Sequence, residues 1–106
     1  VTSVYLFHEL PKNARRNVLS EIHRVLRPGG IVVIEDSAQP VDAGDVCFFL
    51  ERFSEEFHEP FYRDYLRDDL AEALRETGFE VTSVESCFVA KVVTAKKPLA
   101  RAATAA

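Results

Sequence analysis

The side chains able to do chemistry gather in three short words: His8-Glu9, Glu35-Asp36-Ser37 and Phe57-His58-Glu59-Pro60-Phe61-Tyr62. An imidazole ordinarily titrates near ~6.5, so His8 invites a general-base reading at neutral pH. Glu35 and Asp36 are adjacent acids that could orient a substrate hydroxyl or amine; the plainer alternative is a solvated strand end. His58 and Tyr62 are polar handles in a run of aromatic rings, the composition of an apolar pocket with a few hydrogen-bonding groups. Cys47 and Cys87 stand alone, without the spacing of a metal site. No metal is expected, and such cysteines suit a reducing cytosol better than a disulfide framework.

Composition narrows the class of function. At 106 residues the chain has room for one small domain. Its 47% hydrophobic and 28% charged residues are those of a folded globular protein, which excludes disorder over most of its length. No apolar run approaches the ~20 residues of a membrane helix, and no basic-then-apolar leader opens the chain. Lys+Arg 13 against Asp+Glu 17 leaves a net charge of −4, which argues against a phosphate track. Neither nucleic acid nor a membrane is an expected partner. The sequence opens at Val1 and holds no Met, which reads as either a processed product or a fragment of a longer protein.

The chemistry needs elements to position it. Val1 to Leu10 is a β-rich run that fades into polar residues at His8 and Glu9. Pro11, Lys12 and Asn13 break it and offer Asn13 as a helix N-cap. Ala14, Val18, Leu19, Ile22, Val25 and Leu26 then share one helical face, with Arg15, Arg16, Glu21 and Arg24 on a solvated one. Arg27-Pro28-Gly29-Gly30 stops that helix. Ile31 to Ile34 is an unbroken β-branched run, as a strand buried on both faces requires. Strand, helix and strand make a right-handed βαβ unit. His8-Glu9 and Glu35-Asp36 therefore share the carboxyl edge of a sheet, where open α/β folds bind ligands.

Beyond Ser37, Phe49, Phe53 and Phe57 recur every fourth residue and predict a helix over 45–56, with Phe48, Phe49 and Phe53 as packing. A second helix carries Leu66, Leu70, Ala73 and Leu74 on one face, has Asp68 and Asp69 in its first turn, and ends at Gly78. Residues 79–85 and 88–95 form an antiparallel hairpin. The Ala-rich stretch 96–106 is expected to be a disordered tail.

The words Phe7-His8-Glu9-Leu10-Pro11, Glu21-Ile22-His23-Arg24-Val25-Leu26-Arg27-Pro28-Gly29-Gly30 and Thr77-Gly78-Phe79, in this order, resemble a known family. They are similar to the C-terminal half of a Rossmann-like S-adenosylmethionine-dependent methyltransferase of the type 11 kind, over residues 1–95. The resemblance implies an α/β fold: parallel strands flanked by helices, then an antiparallel hairpin that departs from a plain dinucleotide fold. It implies methyl transfer to a small-molecule acceptor, with S-adenosylmethionine as cofactor in the complete enzyme. It puts Ser3, Val4, Phe7 and His8 at the methionine end of the cofactor, and Asp36, Ser37, His58 and Tyr62 on the acceptor side. No residue is assigned as the catalytic base, because a sulfonium is already a strong electrophile and positioning can suffice.

The family's cofactor half is missing from the pattern. Only Gly29, Gly30, Gly44 and Gly78 occur, and no G-x-G turn is among them. The isolated chain is therefore expected to be inactive and to self-associate through an exposed first strand, and its lone cysteines lead to a cytoplasmic expectation. The alternative is a non-catalytic methyltransferase-like subunit that docks on a partner chain.

Overall fold

The computed structural model describes residues 1–39, 61–87 and 90–99, apart from the side chains of Arg63 and Cys87. The helix expected over 45–56 lies outside them, as do Cys47, Phe48, Phe49, Phe53, Phe57 and His58. In chain order the elements are β1 (Thr2–Val4), a 3-10 turn (Phe7–Glu9), α1 (Lys12–Val25) and β2 (Ile31–Ser37). Then come α2 (Tyr62–Leu66), α3 (Leu70–Thr77), β3 (Glu80–Cys87) and β4 (Ala90–Lys96). The fold is mixed α/β, built on a four-stranded sheet of order β1-β2-β4-β3.

β1 runs parallel to β2, with Thr2 opposite Val33 and Val4 opposite Glu35. The last strand inserts between its predecessors: β4 is antiparallel to β2 and to β3. The expected parallel pair and antiparallel hairpin are both present. β2 alternates, however, where burial on both faces was expected. Val32, Ile34 and Asp36 are buried, whereas Val33 and Glu35 are half-buried and Ile31 is exposed. The buried side continues across β4 through Val93 and Ala95 and packs on Leu19 of α1, Tyr65 and Leu66 of α2, and Leu70, Ala73 and Leu74 of α3.

Several boundaries move, each for a local reason. The first strand stops at Val4, because Tyr5 takes a left-handed φ of 54° and turns the chain toward the end of β2. Pro11, not Asn13, is the N-cap of α1; the Asn13 carboxamide accepts from the Ala14 N–H inside the first turn. The expected single helix after Pro60 is two. Leu66 closes α2, and Asp69 caps α3 by accepting from the Ala71 N–H at 3.2 Å. Arg15, expected on a solvated face, is 1% exposed, whereas Val25, expected inside, is exposed. β4 runs through Lys96, and Lys97 exchanges backbone hydrogen bonds with Gly29 and Gly30, so these residues are part of the sheet's end. The Lys97 ammonium also donates to the His23 and Leu26 carbonyls, covering the C-terminus of α1.

Gly78 shows why α3 must end where it does. Its φ of 110° is left-handed, and a Cβ there would stand 3.1 Å from His23 Nε2. His23 in turn packs edge-on to Phe79, with ring centroids 4.9 Å apart. Gly78→Ala is therefore expected to cost about 1–2 kcal/mol, from backbone strain plus displacement of the imidazole. Thermal melting checks it; a variant as stable as the parent would show that α3 has another way to end.

Candidate functional site

Parallel pairing of β1 and β2 brings two chain reversals together at one edge of the sheet. At the end of β1, the Tyr5 N–H still donates to the Glu35 carbonyl at 2.8 Å. The chain then coils into the 3-10 turn, which lays His8 over the end of β2. There Asp36, with no solvent exposure, receives three hydrogen bonds: the Phe7 N–H at 2.7 Å, the Ser37 N–H at 2.9 Å and His8 Nδ1 at 2.7 Å. An ionised carboxylate only accepts, so His8 Nδ1 carries the proton and is the donor in this contact. A buried acid is tolerable here because its oxygens are met by fixed donors.

The far wall is aromatic. Tyr62 and Tyr65 of α2 meet the His8 ring at steep angles, with centroids 5.5 and 6.4 Å away, and Tyr5 meets it at 6.3 Å. The Tyr62 hydroxyl is hydrogen-bonded to Ser37 Oγ, which itself donates to the Ala38 carbonyl. The Tyr65 hydroxyl donates to the Ser37 carbonyl at 2.6 Å. Two tyrosines one helical turn apart thus bracket Ser37. The arrangement can hold an imidazole in one tautomer, present hydroxyls beside it, and keep water away from the buried carboxylate.

Two buried polar groups fix that wall in place. Gln39 Nε2 donates to the carbonyls of Tyr65 and Asp68, each at 2.7 Å, and so caps α2. Its Oε1 accepts from the Leu70 N–H and from Lys91 Nζ, both at 3.0 Å. On the other flank Arg15 bonds the Leu10 carbonyl, the Asp64 carboxylate and, through Nε at 3.2 Å, Asp68. It joins α1, the exit of the 3-10 turn, and α2.

The sequence-derived residues divide. His8, Asp36, Ser37 and Tyr62 are brought into one hydrogen-bonded cluster, which also draws in Tyr65 and Gln39. Ser3 faces inward at the level of Ile34, with its Oγ buried and without a hydrogen-bond partner among the described residues. Val4 is 60% exposed on the edge strand, while the Phe7 ring is fully buried in the core and only its N–H reaches the cluster. Glu35 is half-buried on the opposite side of β2 from Asp36. Gln39, Tyr65, Lys91 and Arg15 were not singled out for the site. Each is set by tertiary partners many residues distant, and none carries a local motif. Among the described residues no group of side chains could hold a metal ion, and no helix is long and apolar enough to cross a membrane.

Comparison with known proteins bears on this geometry. A family model described as a methyltransferase domain matches residues 1–34, which span β1, the 3-10 turn, α1 and the start of β2. No curated protein matches the chain. Among solved structures, a possible exported protein from Bordetella parapertussis is similar, at 23% identity and a TM-score of 0.60. The likeness covers 92% of this chain and 38% of that one, so this chain spans well under half the length of the protein it matches. At that identity the likeness speaks to the fold.

Proposed function

We propose that residues 1–95 are the C-terminal half of a Rossmann-like, S-adenosylmethionine-dependent methyltransferase domain that methylates a small molecule. One observation carries the reading: two parallel strands end side by side, and the His8–Asp36 pair joins them where such a fold receives its ligands. The match to a methyltransferase domain over residues 1–34 supports it, as does the antiparallel strand inserted between β2 and β3.

The residues present suit one wall of a cofactor site. Ser3 offers a buried hydroxyl with no partner among the described residues, near the carboxyl end of β1. His8 lies beyond that strand, at the same edge. A ribose-binding acid and a glycine turn would have to come from elsewhere, since the sequence contains no G-x-G. When bound, S-adenosylmethionine supplies a methyl group on a sulfonium that is already electrophilic. This chain's part is orientation: Asp36 fixes the His8 ring, Ser37 and Tyr62 hold hydroxyls beside it, and the buried aromatic wall excludes water.

The test is calorimetry with S-adenosylmethionine. The 106-residue chain alone is expected to show no micromolar binding, whereas the whole protein that contains it binds in that range, about −8 kcal/mol. Micromolar binding by the isolated chain would overturn the half-domain reading. No binding by the whole protein would overturn the cofactor assignment. Binding that appears only with a separate, co-purifying glycine-rich chain would favour a docking subunit instead.

A further inference from the structure

The two edges of the sheet are built differently. β3 closes one side and is guarded: a register shift between Val81 and Ser83 interrupts its ladder, and it carries Glu80 and Glu85, both exposed. Bulges and charges of this kind keep an edge strand from pairing with another chain. β1 closes the other side with neither device. Residues 1–6, Val-Thr-Ser-Val-Tyr-Leu, hold no charged side chain and no proline, and Val1, Val4, Tyr5 and Leu6 are all exposed, Val4 at 60%. The bonds toward β2 are made by alternate residues: the Val1 carbonyl accepts from the Val33 N–H, and the Tyr5 N–H donates to the Glu35 carbonyl. The N–H and C=O groups of Thr2 and Val4 therefore face the open side.

That open row is complementary to its own copy. We propose that the 106-residue chain pairs β1 antiparallel with β1 of a second copy, about a twofold axis at Ser3. Thr2 then stands opposite Val4 of the second copy and exchanges both N–H···O bonds with it, so every outward backbone group of Thr2 and Val4 is met. An isologous contact sets a patch against itself, and any charged side chain in it would meet a like charge; residues 1–6 have none. Ser3 supplies a second reason. Its Oγ is buried without a hydrogen-bond partner among the described residues. At the axis the two Ser3 side chains face each other as a non-hydrogen-bonded pair, with Cα atoms about 4.5 Å apart, and a turn about χ1 joins their hydroxyls. The left-handed φ of Tyr5 ends the pairing by turning the chain away, so the shared ladder is short and the dimer weak. This dimer does not depend on the methyltransferase reading, in which the same edge takes up the rest of the sheet.

Sedimentation and amide hydrogen exchange of the 106-residue chain, from ~1 μM to ~1 mM, test it. The mass is expected to double across that range, and the Thr2 and Val4 amides to become protected as it does. Val4→Lys puts a charge on the edge, and Thr2→Pro removes an outward donor that β2 does not use. Each is expected to move dimerisation at least about 10-fold higher in concentration, while the dilute monomer melts close to the parent. Val84→Lys, on the opposite edge, is expected to leave dimerisation unchanged. A chain that stays monomeric to ~1 mM, with both amides exchanging freely, overturns the proposal. So does a monomer whose Thr2 and Val4 amides are protected at every concentration, because a segment of its own chain then occupies the edge. A dimer that survives both β1 variants, or that Val84→Lys dissolves, is built on another surface and overturns it as well. None of these outcomes bears on S-adenosylmethionine binding by the whole protein, so the two readings fail separately.

Discussion

Arg15→Ala is expected to destabilise the fold by about 3 kcal/mol, near the lower end of what breaking a buried ion pair costs. Arg15 is 1% exposed, and its guanidinium has partners on three segments: the Leu10 carbonyl, Asp64 and Asp68. Removing it leaves the Leu10 carbonyl and one oxygen of Asp68 without a donor. Asp68 keeps Arg16 at 2.8 Å, and the Asp64 side chain is 53% exposed and can turn to water, which holds the loss at the lower end. In a domain of this size, that loss lowers the melting temperature by roughly 12–24 °C. Arg15→Lys keeps the charge but not the fork, so it should recover only part of the stability. The control is Arg24, whose partner Glu21 is three residues away on an exposed face. The hydrogen bond from Arg24 holds the Glu21 carboxyl below the usual carboxylate range. That contribution is present above the ordinary Glu pKa and fades as pH falls through the lowered one. At neutral pH Arg24→Ala should nevertheless melt with the parent, because solvent screens an exposed pair. Equal melting of the Arg15 and Arg24 variants would show that burial of Arg15 carries no energetic weight.

The contrast between these arginines shows what could be read from the sequence. Helical periodicity placed Leu19 inside and Arg24 outside, and both positions hold. The same periodicity put Arg15 outside, because it scores a side chain by type and cannot see Asp64 and Asp68 arriving from some fifty residues away. Gly78 was legible as a helix end, since its left-handed φ is a local property of the chain. The hairpin and the shared carboxyl edge were legible too, from runs and breaks alone. The Tyr5 turn was hidden. Nothing in a Val-Tyr-Leu sequence announces a positive φ, and it accompanies the hydrogen bonds that hold the Phe7 N–H and the His8 ring to the buried Asp36 at the end of β2. Within the site, His8, Asp36, Ser37 and Tyr62 could be named because a polar residue at a strand end or in an aromatic run is locally unusual. Gln39 could not. Its role depends on two helix ends and a lysine on β4 meeting at one amide.

Asp36→Ala is expected to be among the most damaging single substitutions at the site, at about 3–5 kcal/mol. The carboxylate is fully buried, and its loss strands the Phe7 N–H and the Ser37 N–H, each costing ~1–3 kcal/mol when left unmet. It also frees the 3-10 turn from the end of β2, so the loss reaches the backbone that carries His8. Asp36→Asn separates position from charge. The amide keeps the shape, yet its NH2 end must face one of the former donors. At the Oδ2 place it faces the Phe7 N–H, which loses its acceptor; at the Oδ1 place it faces both the Ser37 N–H, which loses its acceptor, and His8, whose Nδ1 must then accept with its proton on Nε2. The expected result is a milder loss of about 1–3 kcal/mol, since one backbone N–H is unmet in either orientation, and the 15N shifts of His8 read which orientation the amide takes. His8→Ala should cost less than Asp36→Ala, since Asp36 then retains both backbone donors. The order of the three losses is the decisive measurement. If His8→Ala proves as costly as Asp36→Ala, the imidazole rather than the carboxylate holds the two strand ends together. If His8 keeps its proton on Nδ1 in Asp36→Ala, where no acceptor remains at position 36, Asp36 does not set the tautomer, and the positioning role given to it in methyl transfer fails with it.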